Sequence, residues 1–184
     1  NLRVKNIIAE AKKRGIEIHS ANRARLVQLS GEPRHQGIVV KMKGKSLMDE
    51  AEARTFIEQQ LESEIKLKIL ILDNLQDPRN LGACLRTAEA AGVDMVIASK
   101  QGAGIGSTVT KVSAGATETI RFSLVNNMSR VIRWLKDYGI TVLGTTDKAE
   151  KTIYDIDLKI SFAILMGDEC SGLRRQIMDH CDDL

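Results

Sequence analysis

The sequence predicts an α/β fold: a mostly parallel sheet with helices on both faces, joined to part of a small N-terminal α/β unit. Three observations predict it. From Lys66 onward, strand-length apolar runs alternate with segments of helical period. These runs are continuous rather than alternating, as strands buried on both faces require. The chain has 184 residues, 43% of them apolar and 28% charged, enough for one compact domain, or one domain plus part of a smaller one.

The elements follow in order. Val4, Ile7, Ile8 and Ala11 recur at helical spacing, and residues 16–18 and 37–40 read as short strands. Residues 1–40 are thus the small unit. Residues 41–65 are charged, carry a helical pattern at Phe56, Ile57, Gln60 and Leu61, and read as a connector. Residues 68–72 are the first buried strand of the main domain, 66–184. Asp77-Pro78 places a capping carboxylate before a proline at the first helical position. Leu81, Cys84, Leu85 and Ala88 form that helix's stripe, Gly92 ends it, and 95–98 is the next strand, completing a βαβ unit. Residues 107–114 read as helical and 119–122 as a strand. Met128, Val131, Ile132, Leu135 and Tyr138 form another helix stripe, closed by Gly139. Residues 140–144 and 160–166 are further buried strands, and Leu173, Ile177, Met178 and Cys181 mark a last helix.

Composition excludes several classes. Aromatic residues are 3% of the chain, too few for a base-stacking platform. No apolar run approaches the roughly 20 residues that span a bilayer, and no signal peptide is visible. A soluble, cytoplasmic protein without a membrane partner is expected. The chain opens on Asn1, so residues preceding it are expected. Cys84, Cys170 and Cys181 form no CxxC pair, and His19, His35 and His180 have no ligand spacing, so neither a disulfide scaffold nor a metal is expected. Gly44-Lys45-Ser46 lacks the glycine a P-loop needs at position 39, which is Val39. The glycines at 102, 104 and 106 follow the second strand of the unit and miss the GxGxxG spacing. They read as a loop near a site rather than a dinucleotide fingerprint. No GxSxG elbow or pair of catalytic carboxylates stands out.

The net charge of +3 is mild, but its distribution is uneven. Basic residues crowd the first 45 positions, Lys12, Lys13, Arg14, Arg23, Arg25, Arg34 and Lys41 among them, against Glu10, Glu17 and Glu32. Such a segment suits either a phosphate backbone or a solvated face.

Two segments carry the chemistry. Both follow a buried strand and lead into a helix, where open α/β sheets bind ligands. The first, residues 73–88, puts Asn80 at a helix start and Arg86 about 100° round the helix from apolar Leu85. Asn80 either caps the helix or enters a site, and Arg86 either makes a surface pair or reaches a ligand. The second, residues 165–175, has Gly167, which permits close backbone approach, and amides around 169–172 that can hold a polar group. Its alternative is a plain turn capped by Ser171.

Asp77-Pro78-x-Asn80-x-Gly82-Ala83 with Arg86-Thr87-Ala88, followed by Gly167-x-Glu169-x-x-Gly172-Leu173-Arg174-Arg175, resembles the first two signature motifs of the SpoU/TrmH branch of the SPOUT methyltransferases. The similarity runs through residues 111–116, Gly144-Thr145 and Tyr154, and His35-Gln36-Gly37 resembles the end of the family's small RNA-binding domain. The resemblance implies a SPOUT-type domain with a trefoil knot, acting as a homodimer. It implies transfer of a methyl group from S-adenosylmethionine to a ribose 2′-hydroxyl, expected on a guanosine of 23S rRNA. A tRNA enzyme of the same family and a non-catalytic RNA-binding homologue are the alternatives. Arg86, Asn80 and Glu169 match the catalytic positions. Leu143, Gly144, Thr145, Leu165, Met166 and Gly167 match the cofactor pocket. Arg23, Arg25, Arg34 and His35 are the expected RNA contacts. Arginine is a poor base, so Arg86 is expected to clamp a phosphate. The family's third motif, an Ile-Pro-Met stretch and then Ser-Leu-Asn-Val-Ser, does not occur in these 184 residues. The knot is therefore expected to be incomplete here and cofactor binding weak.

Overall fold

The computed structural model describes residues 2–31, 33–41 and 47–184; the P-loop-like Gly44-Lys45-Ser46 lies outside them. The chain divides into two units, Asn1–Gly44 and Lys45–Leu184.

In the smaller unit, helix α1 spans Leu2–Lys13 and α2 spans Arg23–Ser30. Asn22 caps α2 through the Arg25 amide, and Gly31, with φ 69°, closes it in the left-handed region. Residues 16–18 and 37–40 are not strands. A strand needs a neighbour to take its backbone hydrogen bonds, and no described residue of this unit supplies one. Apolar, β-branched character alone does not make the element, and Ile16 and Ile18 stay 55% and 42% exposed.

The larger unit opens with α3, Glu50–Glu62, entered through a reciprocal capping box between Asp49 and Glu52. Ala53 and Ile57 of α3 are fully buried in the core, so residues 50–62 are part of the domain rather than a free connector. The remaining elements are β1 (Lys68–Leu72), α4 (Pro78–Ala90), β2 (Met95–Ser99), α5 (Ser107–Val112), α6 (Ala116–Thr119), β3 (Arg121–Val125), α7 (Met128–Asp137), β4 (Thr141–Gly144), β5 (Phe162–Met166) and α8 (Arg175–Met178).

The five strands form one parallel sheet in the order β3-β2-β1-β5-β4. The continuous apolar runs split by the period of two. Ile69, Ile71, Met95 and Ile97 face one core layer with Trp134 and Leu135 of α7 and Ile57 of α3. Leu72, Val96, Ala98 and Phe122 face the other, with Leu81 and Leu85 of α4. Helices thus cover both faces, as the unbroken hydrophobicity predicts. From β1 the chain proceeds outward to β2 and β3. It then crosses to β4 and returns along β5, which pairs with β1 from Lys68↔Phe162 to Leu72↔Met166. The C-terminal ends of β1 and β5 therefore lie side by side, while the helices that follow them, α4 and α8, pack on opposite faces of the sheet. This is the topological switch point, where such sheets leave a crevice.

Candidate active site

Both sequence motifs emerge at that switch point. The loop after β1 carries residues 73–77 into α4, and the loop after β5 carries residues 167–174 into α8. Asp77 caps α4 by accepting from the Arg79 amide at 2.7 Å, which leaves Asn80 free of the capping role. The Asn80 side chain instead donates to Glu169 Oε1 at 3.1 Å. The same carboxylate accepts from the Asp77 amide at 3.0 Å and the Gln76 amide at 3.3 Å. One acidic side chain from the second motif thus closes onto the entry of the first motif's helix. There the unpaired amides and the helix dipole favour negative charge. Partial burial raises the Glu169 pKa. The Asp77 amide, its own backbone N–H, the Asn80 side chain and the Gln76 amide lower it, and the net result lies below the usual glutamate range.

Arg86 stands apart from this pair. It is exposed, six residues beyond Asn80 on α4, hence about 9 Å further along the axis. Among the described residues no hydrogen bond or ion pair joins it to Asn80 or Glu169. The structure therefore brings together Asn80 and Glu169, and leaves the Arg86 guanidinium facing solvent. Cys84, one turn beyond Asn80, has its thiol pKa raised by burial and by the Glu169 charge. Cys181 is pushed up to about 11 by burial and Asp182. Neither is a thiolate at neutral pH.

The amides of 169–172 are not open to a ligand as the sequence suggests. Cys170 N, Ser171 N and Ser171 Oγ all donate to Asp168 Oδ1, at 2.9, 2.9 and 3.0 Å. Gly172 and Asp168 exchange backbone hydrogen bonds of 2.9 and 3.1 Å. Ser171 does not cap α8, whose N-cap residue is Arg174. Gly167 is required for an internal reason. A Cβ there would lie 2.2 Å from the carbonyl carbon and oxygen of Gly172, so the close approach is to the chain itself. Gly167→Ala is expected to force this turn open and destabilise the protein by roughly 1–3 kcal/mol, read as a lowered thermal midpoint. An unchanged midpoint contradicts that packing.

A cavity of about 920 Å³ opens between residues 145–151, after β4, and residues 168–173. Of the residues expected to hold a cofactor, Thr145 lines it, with its hydroxyl donating to Leu165 O at 3.1 Å. Leu143, Gly144, Leu165, Met166 and Gly167 frame the strand ends without lining it. Leu143 and Leu165 are buried, and the space beside Gly144 is filled by Leu184, Cys181 and Leu173. The lining holds five carboxylates (Asp147, Glu150, Asp168, Glu169, Asp183) against two lysines (Lys148, Lys151), with apolar Leu173, Met178 and Leu184. Size, net negative charge and apolar contacts together suit a drug-sized cation. Among the described residues no cluster of three His, Cys, Asp or Glu side chains can hold a metal ion, and no helix is long and apolar enough to cross a membrane.

In the smaller unit, Arg23, Arg25 and Arg34 are exposed. Arg25 donates to Gln28 at 2.6 Å, and His35 Nδ1 accepts from the Gly37 amide at 3.1 Å, closing a tight turn with Gln36 and Gly37 at φ 53° and 87°. The motif reading gives no role to two residues of consequence that lie inside its segments. Buried Asp73 directly follows β1, and Arg174 pairs with it at 3.0 Å across 101 positions of sequence. A charged residue directly after an apolar strand is the one available signal.

Comparison with known proteins points in one direction. Residues 68–184 match the model of the SpoU rRNA Methylase family. Residues 1–48 match that of the RNA 2′-O ribose methyltransferase substrate-binding domain. The 23S rRNA (guanosine-2′-O-)-methyltransferase RlmB of Neisseria meningitidis serogroup B is 42% identical over 99% of this chain and 71% of its own length. A crystal structure of an RNA 2′-O ribose methyltransferase is 30% identical, with a TM-score of 0.57 over 64% of this chain and 45% of that one, so the chain spans less than half of it. The AdoMet-bound rRNA methyltransferase from Sinorhizobium meliloti, at 23% identity, has the same fold, with a TM-score of 0.71 over 99% of this chain and 67% of that one.

Proposed function

The chain belongs to the SpoU rRNA methylase family, and on that premise we propose that it methylates a guanosine ribose 2′-hydroxyl of 23S rRNA with S-adenosylmethionine as donor. The observation that carries this reading is the closure of Glu169 onto Asn80 and the amides of Gln76 and Asp77. It joins the two motifs into one site at the switch point. When bound, S-adenosylmethionine supplies an electrophilic methyl group. Thr145 and Leu173 of the cavity beside Glu169 would help to hold it, and the predominance of carboxylates there would complement its positive charge.

The protein must bring a weak nucleophile into line and exclude competing poses. Arg86 reaches out from α4 to hold a phosphate of the target strand. Its guanidinium stays protonated, so it supplies positive charge and a fixed fork rather than a base. Asn80 and Glu169 fix the loop from which α4 begins, and so fix Arg86's helix against the sheet. Arg23, Arg25, Arg34 and His35 of the smaller unit contact the RNA. The active form is a homodimer working in the cytoplasm, with exposed Ile153, Tyr154 and Ile160 available to a second copy.

Methylation of 23S rRNA and of tRNA by the full-length protein with tritiated S-adenosylmethionine tests this. Label in 23S rRNA at a ribose oxygen is expected. Label in tRNA alone selects the tRNA enzyme, and RNA binding without label selects a non-catalytic homologue.

A further inference from the structure

Asp73 holds both ends of the turn that carries Glu169. Its backbone N–H donates to Met166 O at 2.8 Å, where β5 ends. Its carboxylate receives Arg174 Nη2 at 3.0 Å on both oxygens and Nε at 3.2 Å, where the turn gives way to α8. Asp73 is 2% exposed, whereas the Arg174 side chain is 58% exposed. The charge is therefore sunk in the end of β1, and the guanidinium reaches in from the surface. Between these anchors the turn is closed on itself by the Asp168–Gly172 exchange, with Glu169 inside it.

The geometry is that of a clamp. A bidentate arginine fixes direction as well as distance. A buried carboxylate that loses its guanidinium is left uncompensated, so the pair resists opening. With one end of the turn laddered to β1 and the other forked onto the same residue, the turn cannot rock without stretching one of the two contacts. Glu169 is thereby held over the Gln76 and Asp77 amides, three and four residues beyond Asp73.

We propose that the Asp73–Arg174 pair is a positioning device for Glu169, and that it governs the rate of methyl transfer through Glu169 rather than by contact with RNA or donor. This rests on the methyltransferase reading above. The full-length protein carrying Arg174→Lys, which keeps the charge and loses the fork, is the test. Its kcat is expected to fall about ten- to a hundredfold, the scale of a small misplacement in a site. KM for RNA should stay within about twofold. The Gln76 and Asp77 amides should exchange hydrogen about tenfold faster while the global unfolding midpoint holds, as expected of a local opening. In a Glu169→Ala background, Arg174→Lys should have no further effect on kcat. An equal loss of kcat in both backgrounds, or unaltered exchange at Gln76 and Asp77, overturns the proposal. Asp73→Asn is the second variant should Arg174→Lys not fold, with the same expectations. If the unaltered protein labels no RNA, the functional reading fails on its own, while the exchange measurement still decides whether the pair holds Glu169.

Discussion

Arg86→Ala is expected to lower methylation by roughly a hundred- to a thousandfold, the effect of removing one preorganised electrostatic group from a reacting centre. The protein itself should scarcely notice. Arg86 lies on the exposed side of α4 while its neighbour Leu85 is fully buried, and alanine is at least as good a helix former as arginine. Its thermal midpoint should therefore move by the small amount of an ordinary surface substitution, about 0.5 kcal/mol or less. Arg86→Lys separates charge from shape. Lysine presents a point charge where arginine presents a planar fork, so partial recovery is expected if Arg86 holds a phosphate. Single-turnover transfer at saturating RNA is the measurement. A rate equal to that of the unaltered protein removes Arg86 from the chemistry and leaves the site to Asn80 and Glu169.

What the sequence makes legible, and what it hides, follows from the range of the interactions. The strands at 68–72, 95–99 and 162–166 can be read because burial on both faces leaves an unbroken apolar run, a local signal. Ile16-Glu17-Ile18 carries only a short alternation and forms no strand, because a strand is completed by a partner that the local sequence does not contain. The site divides in the same way. The place where Asn80 and Glu169 meet can be anticipated, since both motifs follow parallel strands and the ends of such strands share one edge. The bond between Asp73 and Arg174 has no period or spacing to announce it. Gly167 shows a subtler failure. A glycine says that something approaches the backbone closely, but not what, and here it is Gly172. Arg86 is legible as a residue leaving the buried face, whereas its distance from Glu169 depends on how α4 sits on the sheet.

Glu169→Ala is expected to lower methylation by about a hundredfold, as positioning effects of this size do, while reducing stability by only about 1 kcal/mol. Two backbone amides and the Asn80 side chain lose their shared acceptor, but all three lie where water can replace it. The stability loss is therefore modest. The rate loss is larger because water satisfies an amide without holding the turn in one place. Glu169→Gln keeps one acceptor oxygen and turns a donor toward the remaining N–H groups, so an intermediate rate is expected. The pH dependence gives an independent reading. Although partial burial opposes it, the hydrogen bonds to Glu169 hold its folded pKa below the ordinary glutamate value of about 4.3. Its ionised form therefore stabilises the fold above that value, and the contribution is lost as the pH falls through the depressed folded value. The difference in thermal midpoint between the unaltered protein and Glu169→Gln should accordingly be present at neutral pH and shrink under acid. A difference that stays constant from pH 7 into that acid range contradicts an ionised Glu169 bound to these amides, whatever happens to the rate.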